Sequence, residues 1–223
     1  MQDPNSSATQ IEELNAQLKD CDITLSPQQV ELLDRYRQLL WQWNERLNLT
    51  RHTTLDKFVT RDVIDSWELS KLIEHGGRVL DVGTGGGVPG IVIAILRPDL
   101  SLALCESTQK KATAVGSIVA ELGLAVPVYA CRAEEVLEMN TFDTLVARAV
   151  APLSKLLRWF GPHWESFDAL LLIKGPQWVE ERAQARHLGL LRQLDLRKVA
   201  TYLTPRTGAE SVILKVAPVE REP

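Results

Sequence analysis

The chain has 223 residues, 45% of them hydrophobic and 24% charged, with a formal net charge of −4. That length holds one substantial α/β domain with an appendage and excludes two full enzyme domains. The acidity excludes a protein that coats nucleic acid indiscriminately, and the longest apolar runs, such as Ile91 to Leu96, fall far short of a membrane span.

The polar stretch from residue 1 to about 10 reads as a frayed terminus without a secretory signal. Residues 11–20 predict a helix. A second is expected over 26–50, with Ser26 as its N-cap and Pro27 at its first position. Val30, Leu33, Tyr36, Leu40 and Trp43 recur at helical spacing and give it one apolar face. A third helix is expected over 55–75, closed by Gly76-Gly77, so residues 1–75 form an all-helical cap.

From residue 78 the pattern changes. The strand-like runs RVLDVG, SLALCES, PVYACR, FDTLVARA and ALLLIKG alternate with helical segments, which predicts a parallel sheet covered on both faces. The tail carries two strand-like runs, KVATYLT and VILKVAP, joined by a Pro/Gly turn, so a C-terminal antiparallel hairpin is expected. The predicted class is α/β and Rossmann-like: a mostly parallel sheet over 76–223 beneath a helical cap.

Cys21, Cys105 and Cys131 show no paired or metal-ligand spacing, either with one another or with His52, His75, His163 and His187, so no metal site is predicted. Cys105 and Cys131 lie in strand-like stretches where small buried thiols are expected. A cytoplasmic location follows from this cysteine usage. The six tryptophans read as packing residues rather than base-stacking platforms.

Residues 81–90, DVGTGGGVPG, follow the first strand and admit two frames. Gly85 to Gly90 spell the G-x-G-x-x-G of a dinucleotide turn, whereas Asp81 to Gly87 spell the D-x-G-x-G-x-G of an S-adenosylmethionine loop. In a dinucleotide fold the first glycine turns directly off the strand; here that glycine is Gly83, two residues before the literal fingerprint. Asp81 would also oppose a pyrophosphate, while it suits a cofactor with a positive sulfonium and ammonium. Glu106, at the end of the second strand, stands where such folds hold the ribose hydroxyls. These features select S-adenosylmethionine and leave the methyl acceptor open.

Seven segments together, LNLT (47–50), RDVIDS (61–66), DVGTGGGVPGI (81–91), ESTQKK (106–111), CRAEEV (131–136), VARAVAPL (146–153) and LLIKG (171–175), resemble the bacterial 16S rRNA guanine-N7 methyltransferases, the RsmG or GidB family. The resemblance runs from about residue 25 to the C-terminus. It implies a class I S-adenosylmethionine-dependent methyltransferase fold and a target at N7 of one guanine, G527 in the 530 loop of 16S rRNA. It also implies that Asp81, Gly83, Thr84, Gly85, Gly87 and Val88 form the cofactor loop, with Glu106 and Ser107 at the ribose and Ala133 and Glu134 beside the adenine. Arg148 is then the arginine next to both methionine moiety and base, with Arg132 a second catalytic arginine. Asn48, Arg61, Asp65, Ser66 and Lys174 are the expected RNA contacts. Three positions depart from the family: Asp62 where histidine is usual, Gly86 where proline is common, and Lys111 where arginine is frequent.

The chemistry agrees with these residues. Guanine N7 already exposes a lone pair, so its methylation needs no general base. The segment after the fourth strand, ARAVAPL, carries neither the Asn/Asp-Pro-Pro-Tyr of amine methylation nor a Pro-Cys nucleophile. Basic residues between Lys174 and Lys198, with Arg46, Arg51 and Arg61, offer phosphate contacts. The expected partner is 16S rRNA, naked or within the small ribosomal subunit, with no membrane and a monomeric enzyme. From the residues alone, a class I methyltransferase on another RNA, protein or small molecule, or a non-catalytic RNA-binding module, stay open as alternatives.

Overall fold

The computed structural model describes residues 4–219. Helix α1 (Pro4–Lys19) starts well before the expected position; proline in a first turn lacks only an N–H that would be unpaired there anyway. Leu14 and Leu18, one turn apart, are fully buried and anchor it. Helix α2 (Pro27–Asn44) has the predicted cap: Ser26 accepts from the Gln29 amide, and the Gln29 side chain accepts from the Ser26 amide. Val30, Leu33, Tyr36 and Leu40 form its buried face, with Trp43 packed at the edge.

The third predicted helix is built from three pieces. Thr54 caps α3 (Leu55–Lys57), a π-helical turn follows over Phe58–Val63, and α4 (Ile64–Ser70) completes it. It ends five residues earlier than expected, because Arg97 Nη1 donates to the carbonyls of Ser70 and Ile73 at 2.8 and 3.2 Å and so satisfies the chain where it leaves the helix.

Among the described residues, seven strands form one sheet in the order β3-β2-β1-β4-β5-β7-β6. They are β1 (Arg78–Val82), β2 (Ser101–Cys105), β3 (Val128–Tyr129), β4 (Phe142–Arg148), β5 (Phe167–Lys174), β6 (Leu194–Leu203) and β7 (Glu210–Pro218). The first five pair in parallel, and β7 runs antiparallel between β5 and β6, as the tail pattern predicted. Helices α5 (Gly90–Leu96) and α6 (Gln109–Glu121) share one core with α1, α2 and α4; α7 (Ala133–Leu137), α8 (Leu153–Phe160) and α9 (Trp178–His187) cover the other face. Strand alternation divides these cores: Val79 faces the first, Leu80 and Val82 the second. The N-terminal helices therefore complete one face of the sheet. Cys105 is buried in the core on the other face, which pushes its thiol up to about 12, whereas Cys131 is only half-buried.

Strand β1 sits between β2 and β4, so the strand order reverses at its edge. In open α/β sheets the crevice at the carboxyl ends of such neighbouring strands is where ligands bind. It collects the ends of β1, β2, β4 and β5, and with them Asp81, Glu106, Arg148 and Lys174.

Candidate cofactor and substrate site

The loop leaving β1 turns at once. Gly83 has φ +64°, and a Cβ placed on it would lie 3.0 Å from Val150 Cγ2, so both the turn and the neighbouring loop require glycine. Gly90, at the start of α5, lies so close to Asp81 that an added Cβ would come within 2.6 Å of its carboxylate. This proximity lets the Gly90 amide donate to Asp81 Oδ2 at 2.8 Å, beside the Thr84 hydroxyl at 2.6 Å. Asp81 thus braces both ends of the loop from beneath. Burial pushes its pKa up to about 7, against the two hydrogen bonds that favour the ionised form. Its Oδ1 is buried with no hydrogen-bond partner among the described residues.

Asp81 is therefore a fully buried carboxyl with a raised pKa, one oxygen held by the loop and the other unpaired among the described residues. Gly86 has its own reason to depart from proline: a Cβ there would stand 2.9 Å from Leu40 Cδ1, and Tyr36 donates to the Gly86 carbonyl at 3.0 Å. The cap helix and the LNLT turn therefore press directly on the glycine loop. That turn is held by Asn44, whose Oδ1 accepts from the amides of Leu49 and Thr50.

Glu106 lies across the crevice. Its two carboxylate oxygens accept from the amides of Gly85 at 3.1 Å and Thr108 at 2.7 Å. Each oxygen retains lone-pair capacity for a further donor, which is what a ribose diol requires. Ser107 beside it is exposed. Ala133 and Glu134 open helix α7, the first buried and the second half-buried; Arg132 precedes them with an exposed side chain and an amide bound to Glu135 Oε1 at 3.0 Å. The orphaned Asp81 oxygen, the Glu106 pair and the turn at Gly83 fit S-adenosylmethionine: an ammonium donor, a diol and a ligand without phosphates.

Arg148, at the end of β4, meets the cap. Its Nη2 lies 2.7 Å from Asp62 Oδ1 and its Nη1 3.1 Å from Asp65 Oδ2. Burial would lower its pKa, but the two carboxylates outweigh that and hold the guanidinium above its ordinary value. Asp62 Oδ1 also lies 2.7 Å from His52 Nδ1, and the Trp41 indole fixes His52 by donating to its carbonyl. Asp65 Oδ1 accepts from the Tyr202 hydroxyl at 2.7 Å; burial, then this carboxylate, raise the Tyr202 pKa. One polar chain therefore runs from cap to β4 to the C-terminal hairpin, and the π-helical turn aims Asp62 into it. Asp62 and Asp65, two acids at i and i+3 around the apolar pair Val63-Ile64, are the sequence signal of a buried cation.

The five expected RNA contacts separate. Asn48 is exposed, and Arg61 is partly open while donating to Thr204 Oγ1 at 2.8 Å. The other three are engaged within the fold: Asp65 is enclosed between Arg148 and Tyr202, the Ser66 hydroxyl donates to the Asp62 carbonyl within the helix at 2.7 Å, and the Lys174 ammonium donates to the Ala151 carbonyl and Glu181 Oε2 at 2.8 Å each.

Comparison with known proteins agrees with this geometry. The GidB family, described as rRNA small subunit methyltransferase G, matches residues 29–207. Proteins named ribosomal RNA small subunit methyltransferase G are 57% identical in Rhodopirellula baltica (76% of this chain, 74% of that one) and 36% identical in Paracoccus denitrificans (71% and 82%). Among solved structures, TrmK of M. capricolum in complex with S-adenosylhomocysteine superposes with TM-score 0.54 at 11% identity, covering 70% of this chain and 68% of that one. The ribosomal protein L11 methylase of Lactobacillus delbrueckii subsp. bulgaricus gives TM-score 0.53 at 15% identity, covering 74% and 80%.

Proposed function

Because the chain belongs to the rRNA small subunit methyltransferase G family, we propose that it methylates N7 of G527 in the 530 loop of 16S rRNA. S-adenosylmethionine supplies the methyl group when bound. The observation that carries the choice of N7 is the segment after β4, Arg148-Ala149-Val150-Ala151-Pro152, which brings no carboxylate, amide or thiol to the acceptor. N7 has its lone pair free in the base plane, so no residue has to remove a proton before transfer. Placement is then the main contribution, and good placement is worth roughly 7–11 kcal/mol.

In this reading Glu106 accepts from the ribose hydroxyls, Ala133 and Glu134 flank the adenine, and the loop from Asp81 through Val88 encloses the methionine end. Arg148, oriented by Asp62 and Asp65, directs a donor toward guanine O6, and Arg132 is the second arginine of the pocket. Residues 1–75 serve as the cap that meets RNA, with Asn48 and Arg61 at its open side. The enzyme acts as a cytoplasmic monomer. The test is incubation of naked 16S rRNA and of small subunits with labelled S-adenosylmethionine, followed by mapping of the modified base. Label at N7 of G527 is expected; label on another base, or on a ring amine, refutes the reading.

A further inference from the structure

The loop that follows β4 is held in an unusual shape from outside itself. Ala149 has φ +55°, a left-handed conformation that a residue with a Cβ rarely adopts. Val150 packs on Gly83, at the distance an added Cβ would feel as 3.0 Å. The next two backbone groups are bound by one ion pair: Lys174 Nζ donates to the Ala151 carbonyl at 2.8 Å, and Glu181 Oε2 accepts from the Leu153 amide at 2.7 Å. Lys174 and Glu181 are themselves 2.8 Å apart, with side-chain exposures of 10% and 23%. The lysine ends β5, one residue beyond Ile173, the register partner of Arg148, and the glutamate sits in the first turn of α9. Residues from β5 and α9 thus grip the C-terminal half of a strained loop, directly after the Val150 that presses on the cofactor turn.

We propose that Lys174 and Glu181 are a bracing pair that positions the β4–α8 loop, so that Lys174 acts on methyl transfer through Val150 and Arg148 and not through an RNA phosphate. The proposal rests on the methyltransferase reading for its kinetic part and on geometry alone for its structural part. A left-handed alanine persists only where its surroundings over-determine it, and the Lys174–Glu181 bridge supplies two charge-assisted bonds to do so. Without the pair the loop relaxes, Val150 withdraws from Gly83, and the guanidinium that begins the loop loses its fixed starting point. A misplacement on the scale of 1 Å costs turnover on the order of 100-fold.

Lys174→Met, Glu181→Met and the double variant test this, with Lys174→Arg as the conservative control that keeps the charge. Thermal unfolding first establishes that each variant folds. Three readouts then separate the possibilities. Amide exchange at Leu153 is expected to quicken in both single variants, and unchanged protection in Glu181→Met, which has no acceptor for that amide, overturns the brace whether or not the protein methylates anything. The slope of log affinity for 16S rRNA against log salt is expected to stay at the wild-type value; a fall of about 0.7 in Lys174→Met identifies a lost phosphate contact and overturns the proposal. Turnover is expected to drop between about tenfold and about 100-fold in each single variant, with the double variant no worse, because the two residues act as one unit. Normal turnover in Glu181→Met, with wild-type enzyme active in the same assay, also overturns it. A wild-type protein that transfers no methyl group to rRNA refutes the functional reading, and the exchange measurement still decides the brace.

Discussion

Replacing Asp81 with asparagine isolates the cost of keeping a carboxyl beneath the glycine loop. Its pKa is about 7 in the fold against 3.8 for an ordinary aspartate, chiefly because it is wholly buried. Between those values the folded protein holds a proton that the unfolded chain has released, so stability falls as pH rises through this window. With about 1.4 kcal/mol per pH unit of difference, the loss between roughly pH 4.5 and 7.5 is about 3 kcal/mol. Asparagine keeps a carbonyl oxygen for the Thr84 hydroxyl and the Gly90 amide but cannot ionise. The assay is urea unfolding of both proteins across that range without cofactor. The stability difference between the two is expected to move in favour of the variant by about 3 kcal/mol as pH rises, all other carboxylates cancelling in the comparison. Parallel curves would mean an ordinary pKa for Asp81 and would refute the burial argument.

Three further outcomes are expected. Gly83→Asp places a side chain against Val150 at φ +64° and should abolish S-adenosylmethionine binding, read by calorimetry; unchanged affinity would dismiss the loop as the cofactor site. Arg148→Ala should lose most turnover, and it should also destabilise the fold by about 3–5 kcal/mol, because Asp62 and Asp65 are left buried without their cation. Adding Asp62→Asn should restore part of the stability and none of the turnover; recovery of both would give Arg148 a structural role only. Turnover at saturating cofactor should stay flat across roughly pH 6–9, since no residue has to remove a proton from N7, and a steep limb would reveal a base in the site.

The sheet, the hairpin and the cap were legible because each rests on local periodicity: Leu80 and Val82 alternate with Val79 and Asp81, and Val30 to Leu40 repeat at helical spacing. The glycine loop was legible because Gly83 and Gly90 mark backbone requirements that no other residue meets. What stayed hidden depends on side chains distant in sequence. The Lys174–Glu181 brace needs the β5–α9 turn to fold back beneath residues 151–153. The π-helical turn over Phe58–Val63 has the same apolar pattern as an α-helix, and only the extra residue in its repeat carries Asp62 round to Arg148. Arg148 and Lys174 read alike as open cations in sequence; three-dimensional pairing separates them from Arg61.

That pairing also changes why the crevice selects its cofactor. Asp81, buried and with its pKa raised, does not act alone: Glu106 and Arg148 both act on it, and Asp62 and Asp65 stand behind the arginine. These four carboxylates share a poorly solvated crevice with one deeply held guanidinium, so the local field favours a cationic ligand, and such a ligand would in turn favour ionised Asp81. The same field disfavours the RNA backbone. Arg61 and Arg132, by contrast, keep open faces at the exposed rim. Asp62 belongs to that arrangement, because a histidine in its place would remove one of the two carboxylates that neutralise Arg148.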